Sequence, residues 1–224
     1  MWSWIFPKRC PACKKFLNHQ QLLCDVCEGH WPCLSSNACT RCLWPFEVGN
    51  ISHLCGDCLL HASAFDRVIA LGFYESILKE LILRFKFEGE EHLSRFFIEK
   101  ITSDFSAIDV VIPIPVHIKK LRKRGYNQSA VLAKKIAQKY SKPWNPFVLK
   151  KIKETPAQSE LRGHERRNNL KNVFMVEDPQ AVLQKRVLLV DDVYTTGTTV
   201  REASKQLIKK GAKSVSVFVI ARAK

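Results

Sequence analysis

The sequence predicts an α/β protein, in which a parallel sheet flanked by helices follows a small N-terminal metal-binding module. Two observations carry this prediction. All nine cysteines lie before residue 59 of the 224-residue chain. From residue 66 onward, strand and helix patterns alternate, which is typical of parallel sheets with helices on both sides. We therefore predict two domains, residues 1–62 and residues 63–224.

The predicted strands are short apolar or β-branched runs, and the most informative one is residues 186–190. This run reads Arg-Val-Leu-Leu-Val without polar alternation, as expected for a strand buried on both faces of a sheet. The other strands are predicted at residues 66–73, 109–114, 147–151, 173–176 and 214–220. The polar residues 154–169 fit neither period and are predicted to form a loop.

The predicted helices follow from apolar residues spaced three and four apart. Leu78, Leu81 and Ile82, for example, share one face of a helix with Phe85. The helices are predicted at residues 76–87, 91–102, 127–140 and 200–210, and Gly211 ends the last of them.

Composition excludes several classes of protein. Apolar residues make up 46% of the chain, which is enough to fill a core and excludes a mainly disordered protein. No apolar run approaches about 18 residues, so no membrane span is expected. The apolar patch at residues 2–6 is too short for a signal peptide, which predicts a cytoplasmic protein.

Eight cysteines form four C-x-x-C pairs, and such turns point two thiolates at one tetrahedral metal ion. We predict two structural zinc ions, with a disulfide framework or a redox C-x-x-C as the alternatives. Sequential pairing closes the shorter loops and is therefore favoured over interleaved pairing. The remaining cysteine, Cys33, is expected to be a small buried packing residue. The predicted ligands are Cys10, Cys13, Cys24, Cys27, Cys39, Cys42, Cys55 and Cys58.

The positive charge of the chain is concentrated in one stretch. The net charge is +15, and residues 119–171 contain sixteen basic and three acidic residues. Such a block suits a polyanion such as pyrophosphate, a nucleotide or a nucleic acid, the alternative being a solvated basic surface. Two zinc ions with eight thiolates would make the cysteine module net negative, which argues against that module gripping a phosphate backbone.

Residues 187–199 contain the pattern of a ribose 5-phosphate site. A buried strand delivers Asp191 and Asp192 to its carboxyl end, where ligands bind in open α/β sheets. The next residues, Thr195, Thr196, Gly197, Thr198 and Thr199, open a helix. Backbone N–H groups and hydroxyls there can bind a phosphate, and Gly197 lets the backbone approach it. The two carboxylates, expected to be exposed, would hold the ribose hydroxyls directly or through a divalent cation.

Two other interpretations of these residues are less favoured. An ordinary N-capped helix would need one threonine rather than four around a glycine. The G-K-[ST] of a Walker loop and the G-x-G-x-x-G of a dinucleotide site are both absent from the sequence.

The segment closely resembles the 5-phosphoribosyl-1-pyrophosphate (PRPP) motif of type I phosphoribosyltransferases. The whole chain resembles the ComF/GntX family, competence and DNA-utilisation proteins with a double zinc ribbon before the transferase domain. The further motifs that carry this resemblance are Phe65-Asp66, Tyr74, Lys86-Phe87, Ile112-Pro113-Ile114-Pro115, Arg124-Gly125-Tyr126-Asn127-Gln128 and the segment from Arg166 to Phe174.

The resemblance implies roles for individual residues. Asp191 and Asp192 would hold the ribose and Thr195 to Thr199 the 5-phosphate, with Mg²⁺ bound alongside PRPP. The loop after the 109–114 strand would hold pyrophosphate, with Pro115 and Arg124 as the chosen candidates. A hood over the reacting carbon would contribute three arginines, namely Arg162, Arg166 and Arg167.

Two functions follow from the resemblance. The first is a phosphoribosyltransferase acting on an unknown acceptor such as a nucleobase, with a role in DNA uptake, natural transformation or use of extracellular DNA. The alternative is a non-catalytic module of the competence machinery that senses PRPP or binds single-stranded DNA. Only four aromatic residues interleave with the basic stretch, namely Tyr126, Tyr140, Trp144 and Phe147, so the signal for single-strand binding is weak.

Overall fold

The computed structural model describes residues 8–18, 20–47, 51–60, 64–152 and 173–224, except for the side chains of Lys120, Lys123 and Arg124. In chain order the elements are α1 (Asp25–Gly29), α2 (Gly56–Leu60), β1 (Arg67–Phe73), α3 (Ser76–Phe87), α4 (Leu93–Glu99), β2 (Val110–Pro113), α5 (Ile118–Arg124), α6 (Gln128–Lys139), β3 (Leu149–Lys151), β4 (Phe174–Val176), β5 (Arg186–Val190), β6 (Val193–Tyr194), α7 (Thr198–Lys209) and β7 (Ser214–Arg222).

The central sheet has the strand order β1-β7-β5-β2, and every pair in it is parallel. Val187 of β5 lies opposite Val215 of β7 on one side and Val110 of β2 on the other. The short strand β6 continues beside β7 where β5 has ended, pairing with Ala221 and Arg222. The predicted parallel sheet is confirmed. β3 and β4 form a separate antiparallel pair on either side of residues 153–172.

Both faces of the sheet are buried, which explains the unbroken apolar run of β5. Leu189 and Val217 belong to a core with α7, whereas Leu188 and Phe218 belong to a core with α3, α4 and α6. Successive strand residues therefore enter opposite cores, and neither face leaves room for a polar side chain. The predicted inward face of α3 is confirmed as well, because Leu78, Leu81, Ile82 and Phe85 are all fully buried.

Several element boundaries differ from the sequence prediction, among them those of α4 and β7. The helix predicted at 91–102 begins at Leu93 and ends at Glu99. Strand β7 continues to Arg222, two residues beyond the prediction, because β1 and β6 both supply partners for its last residues. That extension brings Arg222 to the same end of the sheet as the predicted ribose site.

The segment after β2 is helical, where the sequence predicted only a pyrophosphate loop. Helix α5 carries mostly basic residues and has no apolar stripe, so periodicity could not reveal it. Its boundaries have local causes. The His117 side chain accepts a hydrogen bond from the Lys119 backbone N–H at 3.4 Å, and Gly125 ends the helix at a positive φ of 81°.

The N-terminal module contacts both sides of the sheet domain. On one side, Arg84 of α3 donates to the Pro11 carbonyl at 2.8 Å, and the Trp31 indole donates to the Leu71 carbonyl at 2.9 Å. On the other side, the Val68 N–H donates to the Arg41 carbonyl at 2.7 Å. The predicted domain boundary at 62/63 lies outside the described residues and stays a prediction. Among the described helices, none has the length and apolar character needed to cross a bilayer.

Candidate active site and metal centres

The cysteines form two clusters of four thiols. The first cysteine cluster comprises Cys10, Cys13, Cys24 and Cys27, and the second comprises Cys39, Cys42, Cys55 and Cys58. Within each cluster all Sγ atoms lie within 4.8 Å of one another, with 3.5 Å between Cys13 and Cys24. A tetrahedral Zn–S₄ site with bonds near 2.3 Å has Sγ–Sγ edges of about 3.8 Å. The clusters therefore fit zinc, and the predicted sequential pairing is confirmed.

Backbone N–H groups prepare one thiol of each cluster for a metal. The Cys55 N–H donates to the Cys39 Sγ at 3.3 Å. Burial alone would raise the pKa of Cys10 and Cys39, but hydrogen bonds from the surrounding turns lower the pKa of both thiols to about 7. Each cluster thus contains one thiol that ionises readily. Burial raises the pKa of three other thiols, namely Cys27, Cys42 and Cys58. A bound zinc ion would offset that effect.

Cys33 is exposed, so the expectation that it packs in a core is wrong. The buried residue of this segment is Pro32, whose carbonyl accepts a hydrogen bond from the Phe73 N–H at 2.8 Å. A tight turn, in which the Cys33 N–H donates to the Trp31 carbonyl at 2.8 Å, then directs the chain outward.

Asp191 and Asp192 follow β5 at the carboxyl edge of the sheet, as predicted, but both are half-buried rather than exposed. Asp191 Oδ1 accepts hydrogen bonds from the Ser129 hydroxyl at 3.0 Å and from the Asp192 backbone N–H at 2.9 Å. Asp192 Oδ1 lies 2.9 Å from Lys86 Nζ, and each of these two side chains is only 15% exposed.

The acid pair carries less negative charge at neutral pH than two ordinary aspartates would. Burial and the neighbouring Asp192 carboxylate raise the pKa of Asp191 to about 7, against the opposing effects of Lys86 and Ser129. A group that titrates near neutrality at a sheet edge is typical of a functional site.

Lys86 is the principal site residue to which the sequence analysis gave no role, although Lys86-Phe87 was among the motifs of the family resemblance. It lies near the end of α3, a helix predicted from its apolar face. The signature around residues 124–128 braces this position, because the Tyr126 hydroxyl donates to the Phe85 carbonyl and Gln128 Nε2 donates to the Lys86 carbonyl at 3.3 Å. Asn127 caps α6 and donates to the Ile114 carbonyl at 3.1 Å. The available signal was the Lys86-Phe87 pair itself, since it belongs to the motifs of the resemblance.

The threonine segment, called here the hydroxyl loop (residues 195–199), joins β6 to the first turn of α7. Thr196 is exposed, and its hydroxyl lies 2.9 Å from that of Thr198. Gly197 has a φ of 72°, and a Cβ there would approach the buried Tyr194 hydroxyl to 2.0 Å. Glycine is therefore required by the fold of the loop, independently of any phosphate. The first turn of α7 presents backbone N–H donors at this edge.

The structure gives the position of only some of the other predicted site residues. Pro115 follows Ile114, whose N–H donates to the Val190 carbonyl at 2.8 Å, so it lies at the same edge as Asp191. Arg124 ends α5, but its side chain lies outside the described atoms. The predicted hood residues lie outside the described residues altogether, namely Arg162, Arg166 and Arg167.

We expect Lys86→Met to lower the free energy of unfolding by about 2 kcal/mol at pH 8, because it leaves two adjacent half-buried carboxylates unneutralised. The loss should shrink at pH 6, where Asp191 is protonated. Denaturant unfolding at both pH values checks this. Lys100→Met is the matched control, since Lys100 Nζ is equally shielded but pairs with Glu28 at 2.6 Å. Equal losses for Lys86→Met at both pH values would contradict the prediction.

Comparison with known proteins agrees with this architecture. A double zinc ribbon domain model matches residues 1–59, and a phosphoribosyl transferase domain model matches residues 124–224. Competence protein F of Haemophilus influenzae is 30% identical over 228 residues, covering 92% of this chain and 100% of its own. The chain belongs to the competence protein F family. DNA utilization protein YhgH of Escherichia coli O157:H7 is 30% identical, covering 89% of this chain and 96% of its own.

More distant similarities include a further sequence relative and two solved structures. Competence protein ComFC of Streptococcus pneumoniae is 26% identical, covering 92% of this chain and 90% of its own. Glutamine PRPP amidotransferase of B. subtilis matches at 21% identity and a TM-score of 0.38, over 58% of this chain and 25% of its own. A purine phosphoribosyltransferase from Pyrococcus horikoshii matches at 17% identity and a TM-score of 0.33, over 65% of this chain and 82% of its own.

Proposed function

We propose that this chain binds PRPP together with Mg²⁺ and transfers its 5-phosphoribosyl group to a nitrogen nucleophile, with release of pyrophosphate. The observation that carries the proposal is the acid pair, Asp191 and Asp192, directly before the hydroxyl loop at the start of α7. Carboxylates suit the two ribose hydroxyls, and the helix start suits the 5-phosphate. The phosphoribosyl transferase domain match over residues 124–224 supports this assignment.

The hydroxyl loop and the acid pair position the donor in this proposal. Hydroxyls of Thr196 and Thr198, with backbone N–H groups of the first turn of α7, bind the 5-phosphate. Asp191 and Asp192 accept hydrogen bonds from the ribose hydroxyls. Carboxylate and hydroxyl oxygens are also the ligand types that Mg²⁺ prefers, so the donor set fits that ion, which would neutralise charge on the pyrophosphate.

The reaction exchanges one bond at the ribose C1 carbon. The bond from C1 to the pyrophosphate oxygen breaks and takes its electron pair to the leaving group. A new bond forms from the nucleophile nitrogen to C1, and that nitrogen gives up its proton. Catalysis rests on orientation and on stabilisation of the departing pyrophosphate. Arg124 and Pro115 are the proposed pyrophosphate contacts, and the hood arginines close over the reacting carbon, namely Arg162, Arg166 and Arg167. A nucleobase is the proposed acceptor.

The cellular role follows from family membership. Relatives carry the names competence protein F and DNA utilization protein. We accordingly propose that this chain acts in DNA uptake, natural transformation or use of extracellular DNA.

A second candidate is a non-catalytic module that senses PRPP or binds single-stranded DNA. Its supporting observation is the exposed basic surface of α5 and α6, on which Lys119, Arg122 and Lys134 are all exposed. As a sensor, this module retains the same fold and the same PRPP pocket but lacks turnover. As a DNA-binding module, it uses the basic surface instead.

Pyrophosphate release separates the two candidates. Full-length zinc-loaded chain is incubated with Mg-PRPP, with and without a panel of nucleobases, and pyrophosphate is measured over time. Base-dependent release that Asp191→Asn abolishes supports the transferase. Saturable Mg-PRPP binding without release under any condition would support the sensing module.

We expect Thr196→Val to weaken Mg-PRPP binding roughly ten- to a hundredfold, since a hydrogen bond to a charged phosphate contributes about 1.5–3 kcal/mol. Valine preserves the shape of threonine, and the exposed position makes a folding defect unexpected. Titration calorimetry measures the effect, and Thr102→Val provides a threonine control remote from the loop. Wild-type affinity in Thr196→Val would remove this residue from the phosphate site.

Nonspecific binding of single-stranded DNA should weaken steeply with salt. The slope of log affinity against log salt concentration should be about −0.7 times the number of phosphates contacted. Mg-PRPP binding should fall less, because backbone N–H groups supply part of its contacts. The measurement is oligonucleotide binding at roughly 50 and 200 mM salt, with and without Mg-PRPP. Competition by Mg-PRPP is expected if both ligands use Arg124. Tight, salt-resistant DNA binding indifferent to Mg-PRPP would favour the binding module.

A further inference from the structure

Arg222 connects the second cysteine cluster to the hydroxyl loop. Its Nε donates to the Cys42 carbonyl at 2.9 Å, and its Nη1 donates to the Thr195 carbonyl at 2.9 Å. The side chain is 5% exposed, and its guanidinium lies 5.2 Å from the centre of the Trp44 ring and 4.9 Å from that of Tyr194. One rigid, buried, always-charged group therefore joins a cysteine turn to the loop.

Arg201 makes a second connection between the same two regions. Its Nη1 lies 2.6 Å from Asp57 Oδ2, and its Nη2 donates to the Thr196 carbonyl at 2.7 Å. Asp57 stands between the ligands Cys55 and Cys58. Two successive carbonyls of the hydroxyl loop are thus held from the side of the second cluster.

These contacts fix the direction of the loop N–H groups. In a trans peptide the N–H points opposite to the carbonyl of the same peptide plane. Holding the Thr195 carbonyl directs the Thr196 N–H away from the cysteine module, and holding the Thr196 carbonyl directs the Gly197 N–H likewise. Tyr194, which is 2% exposed and belongs to the same core as the second cluster, fills the space beneath Gly197.

We propose that the second cysteine cluster is a structural support for the hydroxyl loop, so that zinc at this cluster and a 5-phosphate in the loop stabilise each other. Arg222 and Arg201 are positioning residues, since each acts on loop carbonyls rather than on the phosphate. The first cluster contacts α3 and α4 and should lack this effect. The identity of the ligand rests on the proposed function, whereas the ordering of the loop does not.

The coupling must work in both directions, because two ligands that favour one conformation increase each other's affinity by the same factor. Zinc capture by a chromogenic chelator should therefore slow at the second cluster when Mg-PRPP or ribose 5-phosphate is added. Zinc release from the first cluster should be unchanged. Protection of neither site, in protein shown to bind the ligand, would overturn the proposal.

A double-mutant cycle tests the link at Asp57 and Arg201. Asp57→Asn and Arg201→Gln keep size and remove charge, and each should weaken Mg-PRPP binding about fivefold, with the double variant no worse than Arg201→Gln alone. Arg222→Lys should weaken Mg-PRPP binding about tenfold, because lysine cannot contact the carbonyls of both Cys42 and Thr195. The control pair is Asp109→Asn and Arg186→Gln, a 2.8 Å ion pair at the opposite edge of the sheet, which should leave affinity unchanged.

Hydrogen exchange of the loop amides separates this proposal from the proposed function, because it needs no ligand. Amides of residues 195–199 should exchange faster in Arg201→Gln and Arg222→Lys than in wild type, with zinc content still at two per chain and control variants unaffected. This result would stand even if wild type bound no PRPP. Wild-type exchange rates in both positioning variants would overturn the proposal.

Discussion

Removal of zinc from the full chain is expected to unfold the cysteine module and to open both cores of the sheet domain. Cys10 and Cys27 belong to the core with α3, α4 and α6, whereas Cys39 and Cys42 belong to the core with α7. Structural zinc contributes about 10–16 kcal/mol of apparent binding free energy in small zinc modules, so no other change should have a larger effect.

Metal analysis of protein purified under reducing conditions should return about two zinc per chain. Chelation should then lower the melting temperature and change the near-ultraviolet circular dichroism. Cys10→Ser should lose zinc and stability, whereas Cys33→Ser should lose neither, since Cys33 is exposed and outside both clusters. A metal-free preparation with wild-type melting would contradict the assignment of structural zinc.

Replacement of the acid pair should remove Mg-PRPP binding while leaving the fold intact. Hydrogen bonds to a charged group contribute about 1.5–3 kcal/mol each, so Asp191→Asn and Asp192→Asn should each cost roughly ten- to a hundredfold in affinity. Asparagine can still accept the Ser129 hydroxyl at position 191. The size of the Mg-PRPP-induced rise in melting temperature reports the loss.

The substitution Asp191→Asn should also stabilise the ligand-free protein at high pH. The pKa of Asp191 rises from 3.8 to about 7 on folding, so the folded chain binds a proton that the unfolded chain has lost. The free energy of unfolding of the wild-type protein therefore falls as the pH rises from 3.8 to about 7. Asp191→Asn removes the loss, and the variant should be more stable than wild type at pH 8 by about 1 kcal/mol or more.

The affinity of the wild-type protein for Mg-PRPP should accordingly rise with pH through about 7, because binding requires the Asp191 carboxylate. Asp191→Asn should retain only the smaller dependence that comes from ionisation of the 5-phosphate itself. Parallel titrations at pH 6 and pH 8 measure both effects, and a wild-type affinity that falls over this interval would contradict the assigned role of Asp191.

Local patterns in the sequence were enough to predict the cysteine clusters, the parallel sheet and the acid pair. C-x-x-C spacing is a property of one turn, and the position of Asp191 follows from the strand directly before it. A strand that is buried on both faces of a sheet is apolar at every position. Residues 186–190 could therefore be predicted as such a strand without knowledge of their neighbours.

Contacts between distant segments could not be predicted in this way. Lys86 meets Asp192 only because α3 ends at the carboxyl edge of the sheet. Arg222 reaches Cys42 because β7, paired with β1 and β6, continues past the end of β5. The exposure of Cys33 depends on which neighbour enters the core, and Pro32 occupies that place. Each outcome is decided by tertiary packing, on which sequence spacing carries no information.

Titration calorimetry of Mg-PRPP into zinc-loaded, full-length chain at pH 8 tests the central claim most directly. The double variant Asp191→Asn/Asp192→Asn is titrated alongside, and thermal unfolding of both proteins establishes that each is folded. We predict one-site saturable binding to wild type and no detectable heat of binding to the double variant. Absence of binding to wild type, or equal affinity in the two proteins, would contradict a phosphoribosyl site at this edge of the sheet.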